Sequence, residues 1–252
     1  MYISQKNMSQ HKNPRISVIV PAYNEEKYID ACLSSLQKQT INVPYEVIVV
    51  DNNSTDKTAT IAKKYQTVTI KNEKRMGPSF ARNTGAKTAK GTMLVFLDAD
   101  CIAPPNHLLY IYQWFNRNPN RSVVAGSYFY TDAPSFIKKM LKQGRFYLFY
   151  FRLIRLLFGV QILLSGNFSS KKRTFISVGG FTTKFNDSHH SEDTEFATRS
   201  YEAGFKIYFL EKLVVSTSFR RTKQFNLIHQ MTRLSSHINY LATYAFRHVS
   251  QS

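Results

Sequence analysis

Met93-Leu-Val-Phe-Leu-Asp-Ala-Asp100 is an uninterrupted apolar run that ends on two carboxylates. A run with no polar alternation predicts a strand covered on both faces, as in a parallel sheet. Similar runs lie upstream. Ile16-Ser-Val-Ile-Val20 is followed from Asn24 by a helical pattern with Ile29, Cys32, Leu33 and Leu36 on one face. Val47-Ile-Val-Val50 ends at Asp51 and passes through the turn-forming Asn52-Asn-Ser-Thr-Asp56 into a second helix near Thr58 to Tyr65. A third strand near Val68 to Ile70, a Lys/Arg/Gly loop and a helix from about Ser79 to Thr88 complete the series. Repeated βα units imply an α/β fold, a mostly parallel central sheet flanked by helices. Ligands of such sheets bind beyond the carboxyl ends of the strands, and those ends carry Ala22-Tyr-Asn-Glu25, Asp51 and Asp98-Ala-Asp100.

Two carboxylates just past a buried strand suit a hard divalent cation. Mg²⁺ or Mn²⁺ takes oxygen ligands and needs few from the protein when phosphates and waters complete its shell. Standing alone, the same acids would simply cap the following turn. The composition narrows the partners. Lys+Arg 34 against Asp+Glu 16 gives +18, which favours an anionic partner without choosing among phosphate, nucleic acid and an acidic membrane. Cys32 and Cys101 cannot build a disulfide framework and lack zinc spacing, so a reducing cytoplasm fits best. The polar opening, residues 1–14, reads as a disordered tail without a secretion signal.

The strings SVIVPAYNEEKYIDACLSSLQKQ, YEVIVVDNNSTDKT, RMGPSFARNTGAKTAKG and FLDAD occur in this order. They resemble the nucleotide-binding half of the family 2 glycosyltransferases, which have the Rossmann-like GT-A fold. GNFSSKKRTFISVGGF and SEDTEFATRSYEAGFKI resemble that family's acceptor half. The likeness covers roughly residues 15 to 215 and implies a catalytic domain over 15–225, divided into 15–101 and 102–225. It also implies a nucleotide-sugar donor, UDP-sugar favoured, and a divalent metal cofactor, Mn²⁺ or Mg²⁺.

By resemblance, Pro21, Ala22, Tyr23 and Glu25 match the loop around base and ribose, and Asp51 matches the acid that hydrogen-bonds the base. Read structurally, Pro21 ends a strand, Glu25 caps a helix and Asp51 begins a turn. Arg75 and Arg82 match basic residues near base and diphosphate, with Asn83 beside them and Gly77 permitting close backbone approach. Asp98 and Asp100 match the donor and metal motif, Asp100 as the more direct metal ligand, while Cys101 reads as a small packed residue. Asp193, within Ser191-Glu-Asp-Thr-Glu195, matches the general base of an inverting transfer, with Glu192 beside it. These acids also suit the positive start of a helix running to about Ala203. Gly166, Asn167, Gly180 and Phe181 match segments lining the donor-sugar and acceptor pocket; as glycine turns, Gly179-Gly180 needs no ligand. Arg220 and Arg221 are candidates for the diphosphate, and His229 for an added metal ligand; His189 and His190 flank the base. Ser218-Phe-Arg-Arg-Thr222 replaces the Gln/Arg-x-x-Arg-Trp segment of processive synthases, which argues against a polymerase.

An amphipathic insert, 134–164, includes KKMLKQGRFYLFYFRLIRLLFGVQILL. Arg152 and Arg155 near its centre would each add about 2.5 to 3.5 kcal/mol to insertion, so a simple span is disfavoured. Lys138, Lys142, Arg145 and Arg152 share one side of a helix, as expected on an anionic membrane surface; a buried helix with its cations outward is the alternative. Residues 226–252 read as a second amphipathic helix that can dock on the first, mediate homodimerisation or touch lipid. The expectation is a cytoplasmic protein, peripheral on the inner face of the membrane, acting on a lipid-linked acceptor or glycan and not on nucleic acid. Two rivals are a basic nucleic-acid-binding protein and a non-catalytic member of a membrane assembly. A salt-sensitive RNA shift without nucleotide-sugar binding would mark the first, and lack of donor turnover the second.

Overall fold

A computed structural model describes residues 13–135, 163, 165–183 and 192–220. The insert beyond Ser135, the segment with His189 and His190, and everything from Arg221 onward, His229 and the 226–252 helix included, lie outside the described residues. So does the start of the expected N-terminal tail.

Strands β1 (Ile16–Ala22), β2 (Tyr45–Asp51), β3 (Val68–Asn72) and β4 (Met93–Leu97) are joined by helices α1 (Ile29–Gln37), α2 (Thr58–Ala62) and α3 (Pro78–Thr88). They pair in parallel, with Ala22 beside Asp51 and Asp51 beside Asn72. Helix α4 (His107–Arg117), β5 (Val123–Tyr130), β6 (Asn167–Lys171), α5 (Lys172–Ser177), α6 (Glu192–Glu202) and β7 (Ile207–Thr217) follow. The sheet order is β3-β2-β1-β4-β6-β5-β7, and β6 runs antiparallel to both neighbours. That reversal brings Asn167, at the start of β6, beside Leu97, at the end of β4. Chain entering the sheet there meets chain leaving it at one rim.

The apolar runs work as expected of buried strands, since alternate residues feed two cores. Val18, Val20, Val47, Val49, Val95 and Leu97 pack on one face with Ile29, Cys32, Leu33 and Leu36 of α1. Ile19, Ile48, Val50, Leu94 and Phe96 pack on the other, under α3, α5 and α6. The second core is aromatic: Phe96 stacks on Phe168 at 4.5 Å, and Phe175, Phe181 and Phe196 surround the pair.

Helix α1 begins at Ile29, five residues later than the periodicity places it. Asn24 has φ 52, a left-handed conformation that a helix cannot continue. The Glu25 carbonyl instead accepts from both the Tyr28 and Ile29 amides at 2.9 Å, making a turn first. The turn is tied across to the loop after β2: the Asn24 amide donates to Ser54 Oγ at 3.1 Å and the Glu25 amide to Thr58 Oγ1 at 2.7 Å. The β5–β7 pairing shifts register between Ala125 and Ser127. There a side chain at Gly126 would overlap the Leu213 carbonyl.

Candidate active site

The rim joins residues far apart in sequence. Asp98 follows β4 directly, and its amide donates to the Gly166 carbonyl at 3.2 Å. A Cβ on Gly166 would overlap the Asp98 carboxylate, with Tyr128 Oη at 2.5 Å from it. Gly166 is thus required for fit, so that the β6 entry can lie flat against the acid. On the other side Arg82, from the middle of α3, donates through Nη2 to Asp98 Oδ1 at 2.9 Å and through Nη1 to Glu192 Oε1 at 2.8 Å. Burial works against the Arg82 charge, but the carboxylates of Asp98, Glu192 and Asp193 outweigh it and hold the pKa above the ordinary arginine value. One guanidinium therefore spans the acid at the end of β4 and the start of α6, where Asp193 accepts from the Thr194 amide at 2.9 Å.

Asp100 and Glu25 form a second acidic cluster. Both are buried, and Arg220 Nη2 pairs with Glu25 Oε2 and lies 3.3 Å from Asp100 Oδ2. Cys32 and Cys101 lie beneath these acids; burial first, and then the charges of Asp98 and Asp100, push both thiols up. Both side chains are packed inside, each 1% exposed. Among the described residues no group of three or more His, Cys, Asp or Glu could hold a metal by itself. The donor set at the β4 end is nonetheless all carboxylate oxygen. That suits a hard cation arriving with diphosphate oxygens of its own.

The loops after β1, β2 and β3 are tied together by an asparagine. Asn52 is buried; its Nδ2 donates to the carbonyls of Glu73 (2.8 Å) and Arg75 (2.7 Å), and its Oδ1 accepts from the Gly77 amide (2.8 Å). Its own amide donates to the Ala22 carbonyl at 2.8 Å, so Asn52 joins the loops after β1, β2 and β3 beside Asp51. Gly77 has φ 131 and caps α3, a conformation other residues rarely adopt. Pro21 and Ala22 pair with Val50 and Asp51 at the strand ends, and Tyr23 stands 48% exposed on the rim.

Three candidates take other places. Arg75 forms a pair with Glu73 at 2.8 Å and its side chain is 62% exposed, stacked over Phe80 rather than turned into the acid cluster. Hydrogen bonding from Arg75 holds the Glu73 carboxyl down at about 2. Asn167 is fully buried, and its Nδ2 donates to the Ser127 and Leu213 carbonyls at 2.9 and 3.0 Å, bridging the register shift. The Phe181 ring is 2% exposed in the aromatic core. What Phe181 brings to the site is backbone, clamped by Asn83, which accepts from its amide (2.9 Å) and donates to its carbonyl (2.8 Å). Gly179 and Gly180 have φ 82 and 68, the turn their structural reading foresees, and Arg199 Nη2 donates to the Gly180 carbonyl at 2.7 Å. Tyr28, Tyr128, Asn52 and Arg199 carry weight that the sequence does not announce. Only Asn52, in the Asn-Asn dipeptide after Asp51, had a usable signal.

A β4 that ends in acids, a rim built by a reversed β6 and an α/β sheet define a nucleotide-sugar transferase fold of the GT-A kind. The chain belongs to glycosyl transferase family 2, whose model matches residues 17–178. It is 43% identical over 95 residues to glycosyltransferase AglE of Haloferax volcanii, covering 35% of this chain and 31% of AglE. An uncharacterized glycosyltransferase of Haemophilus influenzae is 28% identical over 246 residues, 94% of this chain and 79% of that one. Two solved structures share the fold. Mannosyltransferase PcManGT of Pyrobaculum calidifontis, with GDP-Man and Mn²⁺, has a TM-score of 0.65 at 23% identity, over 92% of this chain and 66% of that one. S. aureus TarS 1-349 with UDP-GlcNAc has a TM-score of 0.63 at 24% identity, over 81% and 58%. The chain thus spans less than two thirds of AglE and of TarS.

Proposed function

We propose that the protein transfers a sugar from a nucleotide-diphosphate donor, a UDP-sugar by preference, to a hydroxyl or phosphate acceptor by a single inverting displacement. The observation that carries this reading is Arg82, which ties Asp98 on the donor side to Glu192, next to Asp193, on the acceptor side. The UDP-GlcNAc bound to TarS and the GDP-Man and Mn²⁺ bound to PcManGT support the donor class and the metal. Asp51 and Tyr23 would receive the base, Asp98 and Asp100 the metal and diphosphate. A cation held there would neutralise charge developing on the departing diphosphate. Asp193 takes the proton of the acceptor hydroxyl as its oxygen bonds to the anomeric carbon, and the diphosphate leaves with the electron pair of the broken bond. Glu192, held by Arg82, positions this end of α6. Arg220 and Arg221 are the proposed diphosphate contacts, and His229 a further metal ligand.

The test is Asp193→Asn, which should keep donor affinity and lose transfer by orders of magnitude in kcat, with Glu192→Gln milder. An α-linked donor must yield a β-linked product; retention of configuration would refute the mechanism. Asp100→Asn should weaken metal-dependent donor binding, read in a thermal-shift panel of UDP-, GDP- and CDP-sugars with Mn²⁺ or Mg²⁺. Among the described residues no helix is long and apolar enough to cross a membrane. The basic, aromatic sequence of 138–164 supports a peripheral site on anionic membrane and a lipid-linked acceptor. Liposome sedimentation should show binding that falls with salt and with Arg145→Glu plus Arg152→Glu; no binding at low salt would remove this part of the reading.

A further inference from the structure

Glu25, from the loop after β1, and Asp100, from the loop after β4, share a single guanidinium nitrogen. Arg220 Nη2 pairs with Glu25 Oε2 and lies 3.3 Å from Asp100 Oδ2, and the two carboxylate side chains are 3% and 6% exposed. Carboxylates buried this far need a positive partner close by. Arg220 itself rests over the Tyr28 ring at 4.0 Å. The segment that delivers it is moored to the sheet edge: Asp132 accepts from Ser218 Oγ at 3.1 Å and from the Phe219 amide at 2.5 Å. Arg220 thus stands against Asp100 Oδ2, an oxygen that a cation bound by Asp100 would use.

We propose that Arg220 is a resident counter-cation of the Glu25–Asp100 pair in the donor-free protein, and that it gives up Asp100 when a divalent cation arrives together with a nucleoside diphosphate. This rests on the reading that the site takes a metal-bound nucleotide donor. A bare divalent cation must displace, or sit beside, a positive charge already in place, and the site repels it. A diphosphate removes that obstacle, because its oxygens match the planar fork of the guanidinium and give Arg220 a second partner while the metal takes over Asp100. Metal and nucleotide then bind with positive coupling, and the coupling is reciprocal. Neither alone is held as well as the two together.

The experiment titrates Mn²⁺ into the full chain without nucleotide, with free Mn²⁺ read by electron paramagnetic resonance, and then UDP and GDP into the protein with and without Mn²⁺ by calorimetry. In the wild type the effective nucleotide should tighten Mn²⁺ by about tenfold or more. Arg220→Gln should bind Mn²⁺ alone about fivefold or more tightly than wild type, bind the nucleotide more weakly in the presence of Mn²⁺, and lose most of the coupling. Arg220→Lys, which retains the charge, should stay near wild type. Asp132→Ala, which loosens the mooring and leaves the metal-facing carboxylates intact, should shift Mn²⁺ affinity in the same direction by a smaller factor. It decides the matter if Arg220→Gln fails to fold. Unchanged or weaker Mn²⁺ binding by Arg220→Gln, or by Asp132→Ala in its place, overturns the inference when wild-type nucleotide binding is metal-dependent. A wild type that binds neither nucleotide with Mn²⁺ instead overturns the functional reading beneath it.

Discussion

The guanidinium of Arg82 is 5% exposed and rises from the middle of a helix wedged into the aromatic core, whereas that of Arg220 is 29% exposed and follows the last strand. Arg82 makes two ordinary hydrogen bonds to two acids of the rim and lies 5.5 Å from the Phe181 ring. Arg220 reaches two acids through one nitrogen and rests on an aromatic face. A cation fixed by its helix and by packing on every side is scaffold; a cation held by one nitrogen at the end of a strand can be exchanged. The two acid clusters flank the end of β4 with opposite degrees of permanence.

The harshest test of that contrast is Arg82→Met. Removing the cation strands Asp98 and Glu192, and breaking a buried pair of this kind costs about 3–5 kcal/mol. Urea unfolding should show it, with Arg220→Met losing clearly less; equal losses would erase the distinction. His107 sharpens it from another side, since it is a buried side chain whose two ring nitrogens have no hydrogen-bond partner among the described residues. Burial pushes its pKa down from 6.5 to about 4. The unfolded chain therefore takes up this proton first, so the stability is whole above pH 6.5 and falls as the pH drops toward 4. The loss is on the order of 3 kcal/mol, and His107→Leu should remove that part of the acid-side slope while leaving both arginine clusters as they are.

Gly166→Ala comes next. Its methyl must push the Asp98 carboxylate away from β6, which should cost about 1–3 kcal/mol and weaken metal-dependent donor binding together with stability. A silent Gly166→Ala would mean that the rim around Asp98 is looser than the Arg82 contacts suggest. The smallest effect belongs to Tyr28→Leu, which removes the aromatic platform under Arg220 and should cost about 0.5–1 kcal/mol in thermal unfolding.

The parallel half was legible in the sequence because its central strands are apolar runs; Ile16 and Met93 begin β1 and β4 where expected, while β2 starts at Tyr45, two residues before the run at Val47. The start of α1 was not, because the periodicity of Ile29 to Leu36 says nothing about the left-handed Asn24 that precedes it. β7 was missed for a different reason: Glu211-Lys212 splits its apolar residues into Ile207-Tyr-Phe-Leu210 and Leu213-Val-Val215, and the first of these short runs is only partly buried. At the site, the motifs showed which acids gather on the rim, but no spacing reveals that Arg82 spans Asp98 and Glu192 or that Arg220 reaches Glu25. Arg82 and Glu192 are 110 positions apart and Arg220 and Glu25 are 195 apart, brought together by how the sheet is ordered and not by any local pattern. Phe181 and Asn167 show the converse, since a motif names a residue without saying whether its ring, its amide or its backbone faces the ligand.

The reversal of β6 also bears on how such a protein can diversify. β5 and β6 are neighbours running in opposite directions, so the chain leaves the sheet at Tyr130 and re-enters it at Asn167 on the same rim as Asp98. Both ends open on the rim beside Asp98, and lengthening a closed loop costs only about 0.6 kcal/mol per doubling. The sheet therefore offers a slot in which one segment can be exchanged for another, altering what approaches the acids while the strands, both cores and the Arg82 bridge stay unchanged.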